Sequence, residues 1–280
     1  CNELLDRVGD VVAGDTIVDA AVQYAQSIPV NVIARMLGFP PEDEDVFRGF
    51  VHTVLENVNV SAEEREEAFG PLDVFLDRQI EEHLAHPRDD LTTYLLNAEI
   101  GGNKLAREHV RGSMVLLLIA GIDTTWSAIG SSIWHLATHP SDLVRLVDDP
   151  DVMVFALEEF LRAYAPVTMA RLVKQDHDFH GCPMKEGEWV LLPFPAANRD
   201  PAFFDRAEEF VVDRAENRHA AFGLGIHRCL GSNLARLELK VGIEEWVKRF
   251  PRFELAGDVR WSVGQVRGPR ELPVRVLETA

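Results

Sequence analysis

The 280-residue chain has only three cysteines, Cys1, Cys182 and Cys229, and no group of residues at the spacing of a zinc site. Cysteines this few and scattered exclude a disulfide framework and make a reducing cytoplasm the expected compartment. Long hydrophobic runs are also absent. The longest, Met114 to Ile122, has nine residues, whereas a membrane span needs about 20. We therefore expect no membrane partner and assign this run to the middle of a buried helix.

Basic residues are scarce as well, since 28 lysines and arginines stand against 46 acids and leave a net charge of -18. A nucleic-acid partner is not expected, because phosphate binding needs a basic surface. The apolar residues, 46% of the chain, can fill a sizeable core, and no repeat or low-complexity linker divides the sequence. We expect one domain that spans residues 1–280.

Most of the chain has apolar residues at helical spacing, so the predicted fold class is mostly α with a minor β part. The helices are predicted at 18–37, 41–58, 61–86, 91–97, 106–138, 151–163 and 232–248. Short strands are predicted at 170–174, 179–180 and 189–194, followed by a weak β tail at 267–277. The helix at 106–138 is unusually long, and its apolar centre predicts a path through the interior.

One cysteine lies in a glycine-rich segment, Phe222 to Gly231, directly before a predicted helix. Glycines permit positive φ and let a flat ligand come close to the backbone. His227, Arg228 and the helix N-terminus would stabilise a thiolate at Cys229. One thiolate without companion ligands suits haem iron better than zinc, but a buried free cysteine in a turn explains the segment too.

The long helix contains Asp123, Thr124 and Thr125 after the small pair Ala120 and Gly121. A buried acid is costly unless it serves a purpose. A threonine hydroxyl can bond back to a carbonyl of the preceding turn and open a groove, or it can be satisfied there with no further role.

Together with the pair Glu159 and Arg162, these motifs resemble the cytochrome P-450 family. The haem loop of that family reads Phe-x-x-Gly-x-His-x-Cys-x-Gly, and every fixed position is present between Phe222 and Gly231. The acid–alcohol pair and the Glu-x-x-Arg pair precede it in the order of the family. Taken alone, Glu159 and Arg162 are typical of an exposed ion pair. They indicate the family only because they occur together with the other two motifs.

The resemblance implies a cytochrome P-450 fold and a haem-thiolate monooxygenase with haem b as cofactor. Such an enzyme inserts one atom of dioxygen into a small organic substrate, with electrons from a ferredoxin or flavodoxin and its reductase. The resemblance also implies that the chain is the middle and C-terminal portion of a longer family domain, lacking roughly the first hundred residues.

The resemblance assigns roles to individual residues. Cys229 would be the axial ligand of the haem iron, Thr124 would hydrogen-bond dioxygen, Asp123 would relay protons, and Glu159 with Arg162 would be structural. Haem contacts are expected from Ala120, Gly121, Thr125, Arg171, Phe222, Gly223, His227, Leu230, Gly231 and Ala235, with Arg171 and His227 on the propionates. Substrate contacts are expected from Leu117, Val167, Thr168 and Met169, and from Gln265 and Val266 in the tail.

Several alternatives remain open from the sequence. Arg228, Arg236 and Lys240 form either a docking patch for an acidic electron donor or a solvated helix face. The chain could be a truncated haem-binding protein without turnover. A peroxide-using relative is disfavoured by the intact acid–alcohol pair, and a structural or nucleophilic Cys229 without haem has no supporting catalytic constellation elsewhere.

Overall fold

The structure, a computed structural model, describes residues 1–12, 17–40, 43, 61–263 and 266–280. Its helices are α1 (Asn2–Val12), α2 (Ser27–Met36), α3 (Ala62–Ala85), α4 (Leu91–Asn97), α5 (Arg107–Thr138), α6 (Pro140–Asp148), α7 (Met153–Ala163), α8 (Phe194–Ala197) and α9 (Ser232–Arg249). A π-helical turn covers Ala21–Ala25, and 3-10 turns cover Pro150–Val152 and Gly225–His227.

The strands are short and antiparallel. β1 (Val18–Asp19), β11 (Pro273–Glu278) and β8 (Arg252–Leu255) form a sheet in that order, and the others pair two by two: β2 (Glu99–Ile100) with β3 (Asn103–Lys104), β4 (Thr168–Leu172) with β7 (Trp189–Pro193), β5 (His177–Phe179) with β6 (Cys182–Met184), and β9 (Arg260–Trp261) with β10 (Pro269–Glu271). The predicted fold class, mostly α with a minor β part, is confirmed.

Local sequence patterns correctly predicted the bounds of several helices. At the start of α3, Ser61 and Glu64 form the predicted capping box, in which each side chain accepts a hydrogen bond from the other residue's N–H. The helices α4, α5 and α9 end within one residue of their predicted bounds, and α7 begins after a 3-10 turn. The predicted helix at 41–58 lies outside the described residues except for Asp43.

The prediction of one helix over 18–37 is wrong at its start. Val18 pairs with Val274 as a strand, and the Asp19 carboxylate then accepts the N–H groups of Ala21, Val22 and Leu272. This carboxylate stops the strand and caps the π-helical turn, which leaves α2 to begin only at Ser27. The helices α1 and α6 have no counterpart in the sequence predictions; α6 follows α5 after one residue, His139, so no loop signal separates them.

Helix α5 is the centre of the core and packs against α2, α7 and α9. By length and composition it could cross a membrane, but half of its most apolar stretch is buried in the fold, as in the core helices of other proteins. The predicted path through the interior is present, and one face of the helix is open. Leu116 is 64% exposed and Ala120 is exposed too, with Leu117 and Thr124 half-buried beside them. We call these four residues the open stripe of α5.

The C-terminal tail lies directly against α5. A Cβ on Gly268 would stand 2.4 Å from the Cβ of Ser127, and one on Gly130 would stand 3.0 Å from Pro269. Gly268 is therefore needed for this close approach, and a side chain at Gly130 would push against Pro269. The contact places the start of β10 beside Ser127 and Gly130 of α5.

Candidate active site

The turn that carries Cys229, residues 222–231, is held by its own backbone; we call it the cysteine turn. The N–H of Cys229 donates to the carbonyl of Phe222 at 2.8 Å. Gly223 and Gly225 have φ of 66° and 70°, which other residues adopt only with strain. The Sγ atom of Cys229 lies over Gly231, 4.0 Å from where a Cβ of that residue would be.

Large apolar side chains stand open on both sides of the sulfur. Ile226 is 98% exposed, Leu230 97% and Leu224 75%, and Cys229 itself is exposed. Contiguous exposed apolar groups of this kind mark a surface that another molecule covers. Helix α9 starts immediately after the turn and packs on α5, with a Cβ on Gly242 coming to 3.4 Å of Ile129.

On the open stripe, the hydroxyl of Thr124 donates to the carbonyl of Ala120 at 2.8 Å. Its hydrogen is thus satisfied by its own helix, while its lone pairs can still accept a hydrogen bond. Gly121 packs closely on α2, because a Cβ there would stand 2.7 Å from the end of the Ile33 side chain, which would have to move. Thr125, predicted among the haem contacts, is 4% exposed and lies in the interior, away from the open stripe.

Asp123 is buried in an ion pair that the sequence did not indicate. Its Oδ1 lies 2.5 Å from a guanidinium nitrogen of Arg270 in β10, and the two side chains are only 3% and 2% exposed. Arg270 also donates to the Ser127 hydroxyl at 3.0 Å and lies 4.3 Å from the centre of the Trp126 ring. No motif surrounds Arg270, and 147 residues separate it from its partner, so only the folded chain brings the pair together.

Glu159 and Arg162 are completely buried and form a two-point ion pair at 2.7 and 2.8 Å. Arg162 also donates to three carbonyls of one irregular segment, those of Asn198, Ala207 and Glu209. Glu159 accepts from the same segment through the Val211 N–H, Arg214 and Asn217. Burial alone would raise the pKa of Glu159, but its bonds to Arg162 and Val211 outweigh burial and hold that pKa below its usual range.

The neighbouring Glu158 instead binds one residue on each side of the cysteine turn. Its carboxylate accepts from Arg236 at 2.6 and 2.9 Å and from His219 at 3.0 Å. Burial raises the pKa of Glu158, but these two partners outweigh burial and bring it down to about 2. Arg236 is thus held in an internal ion pair, and Lys240 lies 3.9 Å from Glu244. Of the three predicted docking cations, Arg228 is the one whose side chain is neither paired in these contacts nor covered.

The remaining predicted residues occupy the surroundings. His227 is exposed in the 3-10 turn, Ala235 is half-buried, and Arg171 of β4 donates to the Ala170 carbonyl at 2.8 Å. Val167 forms an isolated bridge with Val266, so two predicted substrate segments are in contact. Thr168 is half-buried and Met169 is 39% exposed. Gln265 lies outside the described residues.

These residues fit a haem. Within residues 1–12, 17–40, 43, 61–263 and 266–280, no three His, Cys, Asp or Glu side chains come together as a metal site. A haem iron needs only one protein ligand on its thiolate side, and an exposed thiol flanked by open apolar side chains offers one.

Comparison with known proteins decides the family. A sequence model described as Cytochrome P-450 matches residues 16–154 and 151–260. The polyketide biosynthesis cytochrome P-450 PksS of Bacillus subtilis (strain 168) is 32% identical over 278 residues, which cover 97% of this chain and 69% of PksS. This chain belongs to the cytochrome P-450 family. Like other members, it is an oxidoreductase of the haem-thiolate monooxygenase class.

Solved structures agree with the sequence match. The structure of PksS superposes with a TM-score of 0.93 and covers 99% of this chain and 72% of PksS. The mycinamicin IV hydroxylase/epoxidase of Micromonospora griseorubida is 34% identical over 98% of this cytochrome P-450 and 70% of the relative. P450BioI, solved with a fatty-acid-ligated acyl carrier protein, has a TM-score of 0.89 at 32% identity, over 98% of this chain and 72% of P450BioI.

Proposed function

We propose that this cytochrome P-450 inserts one oxygen atom from dioxygen into a small organic substrate, using electrons from a separate donor protein. The observation that carries the proposal is the exposed thiol of Cys229, which stands among open apolar side chains at the start of α9. Haem b, bound through this thiolate, would supply the redox-active iron, and thiolate donation favours cleavage of the O–O bond.

The open stripe supplies the groups for oxygen chemistry. Thr124 can accept a hydrogen bond from a group in the pocket without giving up its own bond to Ala120. The carboxylate of Asp123 is held against Arg270 and Ser127, so it takes up a proton when this ion pair loosens and passes the proton toward Thr124. The half-buried position of Thr124 at the edge of the interior supports this division of roles.

We assign the haem contacts to the predicted residues other than Thr125, which lies in the interior. We assign the propionates to Arg171 and His227, and the substrate to Leu117, Val167, Thr168 and Met169. These substrate positions are mostly apolar and partly open, which favours a modest organic molecule. The named relatives concern a polyketide, mycinamicin IV and a carrier-bound fatty acid. Because these molecules differ, the proposal stops at the substrate class.

We assign electron delivery to a ferredoxin or flavodoxin with its reductase, in the cytoplasm. Arg228, exposed beside Cys229, is the cation placed to meet an acidic donor. The rate of reduction by such a donor should fall with salt, and Arg228→Glu should lower it further. A rate that ignores both salt and this substitution would exclude docking through Arg228.

A second candidate function is haem binding without turnover. The thiol of Cys229 and the apolar side chains beside it are sufficient for haem binding alone, without the groups on the open stripe. Both candidates predict thiolate-ligated haem, and only the first predicts product. The test is therefore oxygenated product from a panel of small organic molecules, supplied with NADPH, ferredoxin and ferredoxin reductase. Consumption of NADPH without product over the whole panel would favour the second candidate.

A further inference from the structure

We propose that Glu158 is a positioning residue of the cysteine turn, whose carboxylate holds both ends of residues 222–231 through Arg236 and His219. The inference deepens the proposed function and rests on it for the role of Cys229 as haem ligand. The contacts themselves do not depend on haem, so they can be tested separately.

The exit of the turn is held through Arg236, on the first turns of α9. Its guanidinium makes a two-point contact with Glu158, at 2.6 and 2.9 Å, and one of its nitrogens lies 3.4 Å from the Ser232 carbonyl. The same guanidinium lies 4.6 Å from the centre of the Phe222 ring. One cation thus connects α7, the beginning of α9 and the first residue of the turn.

The entry of the turn is held through His219. Its Nε2 lies 3.0 Å from the second oxygen of Glu158, and its Nδ1 accepts the N–H of Ala221 at 3.2 Å. Because Nδ1 accepts, the proton of a neutral ring sits on Nε2 and points at the carboxylate. The segment immediately before Phe222 is therefore tied to the same side chain as the segment after Gly231.

Asn198 supplies a further anchor at the entry, since its Oδ1 accepts the N–H of Ala220 at 2.7 Å, but residues 222–231 themselves have few other contacts. The side chains of Leu224, Ile226 and Leu230 are exposed, and the N–H of Cys229 donates a hydrogen bond to the carbonyl of Phe222. Movement of the Phe222 ring would therefore move the backbone that carries the sulfur. Glu159, one residue further along α7, binds the 198–217 segment. Glu158 is therefore the acid of α7 that anchors the cysteine turn.

The first test is hydrogen exchange by mass spectrometry on the haem-free protein. Glu158→Gln keeps the size of the side chain but removes the charge that holds Arg236. We expect exchange to be about tenfold faster in peptides covering 220–231, because that is the effect of losing one hydrogen bond to a charged group. Peptides covering 198–209 should not change. The control is Glu245→Gln. It breaks an exposed pair with Lys248 on α9, the helix that carries Arg236, and should change exchange in neither region.

The second test uses the haem-loaded protein and a double-substitution cycle. Arg236→Met and Glu158→Gln should shift the haem reduction potential in the same direction, and the double variant should shift it no further, because either change alone releases the turn. Arg236→Lys keeps the charge but not the two-point contact, and should restore the potential only in part.

Unchanged exchange at 220–231 in Glu158→Gln would overturn the proposal, as would faster exchange throughout the chain. Opposite potential shifts for the two single variants would also overturn it, because they indicate charge alone. Failure of the native protein to bind haem would instead contradict the proposed function. The exchange experiment, which uses the haem-free protein, would still test the role of Glu158.

Discussion

Two irregular segments follow α8, and they are stabilised in different ways. Residues 198–217 are fastened by side chains, since Arg162 and Glu159 bind carbonyls, an N–H and two side chains along their length. The cysteine turn, residues 222–231, has mainly its own backbone bonds and the contacts of Phe222. Its apolar side chains are open, whereas the ion pair under the first segment is completely buried.

The difference indicates that the 198–217 segment contributes mainly to stability and the cysteine turn mainly to ligand binding. A buried charge pair with every partner in place makes irregular backbone rigid, and removing one member deprives the other charge of its main partner. Exposed apolar groups contribute little to folding and are available to a ligand. Substitutions in the first segment should therefore change unfolding, while those near the turn or on the open stripe should change haem chemistry.

The largest effect is expected for Arg162→Met. It leaves Glu159 charged and buried and frees three carbonyls, so the free energy of unfolding should fall by about 3–5 kcal/mol. Urea denaturation measures this. Lys185→Met, which removes a cation from an exposed pair with Asp176, should change the free energy of unfolding far less. Equal losses in the two variants would contradict the distinction between the segments.

Glu238 of α9 sharpens the comparison, because it is buried without the partners that Glu159 has. Its Oε2 makes no hydrogen bond within the described part of the chain, and burial raises the pKa of Glu238 to about 7. The folded state therefore keeps this proton between pH 4.5 and 7 while the unfolded state releases it, and stability falls as pH rises through that window.

Glu238→Gln should remove this loss and make the protein more stable at pH 8 by up to about 3 kcal/mol, with little change at pH 4. Urea denaturation at the two pH values checks it. If the variant is less stable at pH 8, the carboxylate has a stabilising partner and the argument from burial is wrong.

A smaller effect is expected where the tail meets α5. Gly268→Ala places a Cβ at 2.4 Å from Ser127, which should cost about 1–3 kcal/mol. Gly112→Ala, at an uncrowded position on α5, should instead stabilise by about 0.5–1 kcal/mol. Thermal unfolding of the pair gives both signs in one experiment, and destabilisation by both variants would remove crowding as the cause.

The smallest effect on stability is expected for Thr124→Ala, within about 1 kcal/mol, since the bond that its hydroxyl makes among the described residues is to its own helix. Its effect on chemistry should be large: haem is kept, but reducing equivalents appear as peroxide rather than product. Thr124→Ser, which keeps the hydroxyl, should retain most of the coupling. The ratio of product to NADPH consumed is the measurement, and an unchanged ratio in Thr124→Ala would remove Thr124 from the mechanism.

The sequence predicted what depends on neighbouring residues. The capping box at Ser61, the length of α5 and the glycine pattern around Cys229 are local, and their elements are present in the structure. The partner of Asp123 is not local, and neither are the partners of Glu159 other than Arg162. Arg270 and Asn217 stand 147 and 58 residues away, without a motif, and only tertiary packing selects them. The strand at Val18 was missed for the same reason, because its partner Val274 belongs to the tail.

The spectrum of the reduced protein with carbon monoxide tests the central claim most directly, because it reports whether a thiolate ligates the iron. We expect the thiolate-type Soret band from the native protein after reconstitution with haem, and its loss in Cys229→Ser, whose fold should survive because the residue is exposed. A thiolate-type band that persists in Cys229→Ser would contradict the assignment, as would a native protein that binds haem without it.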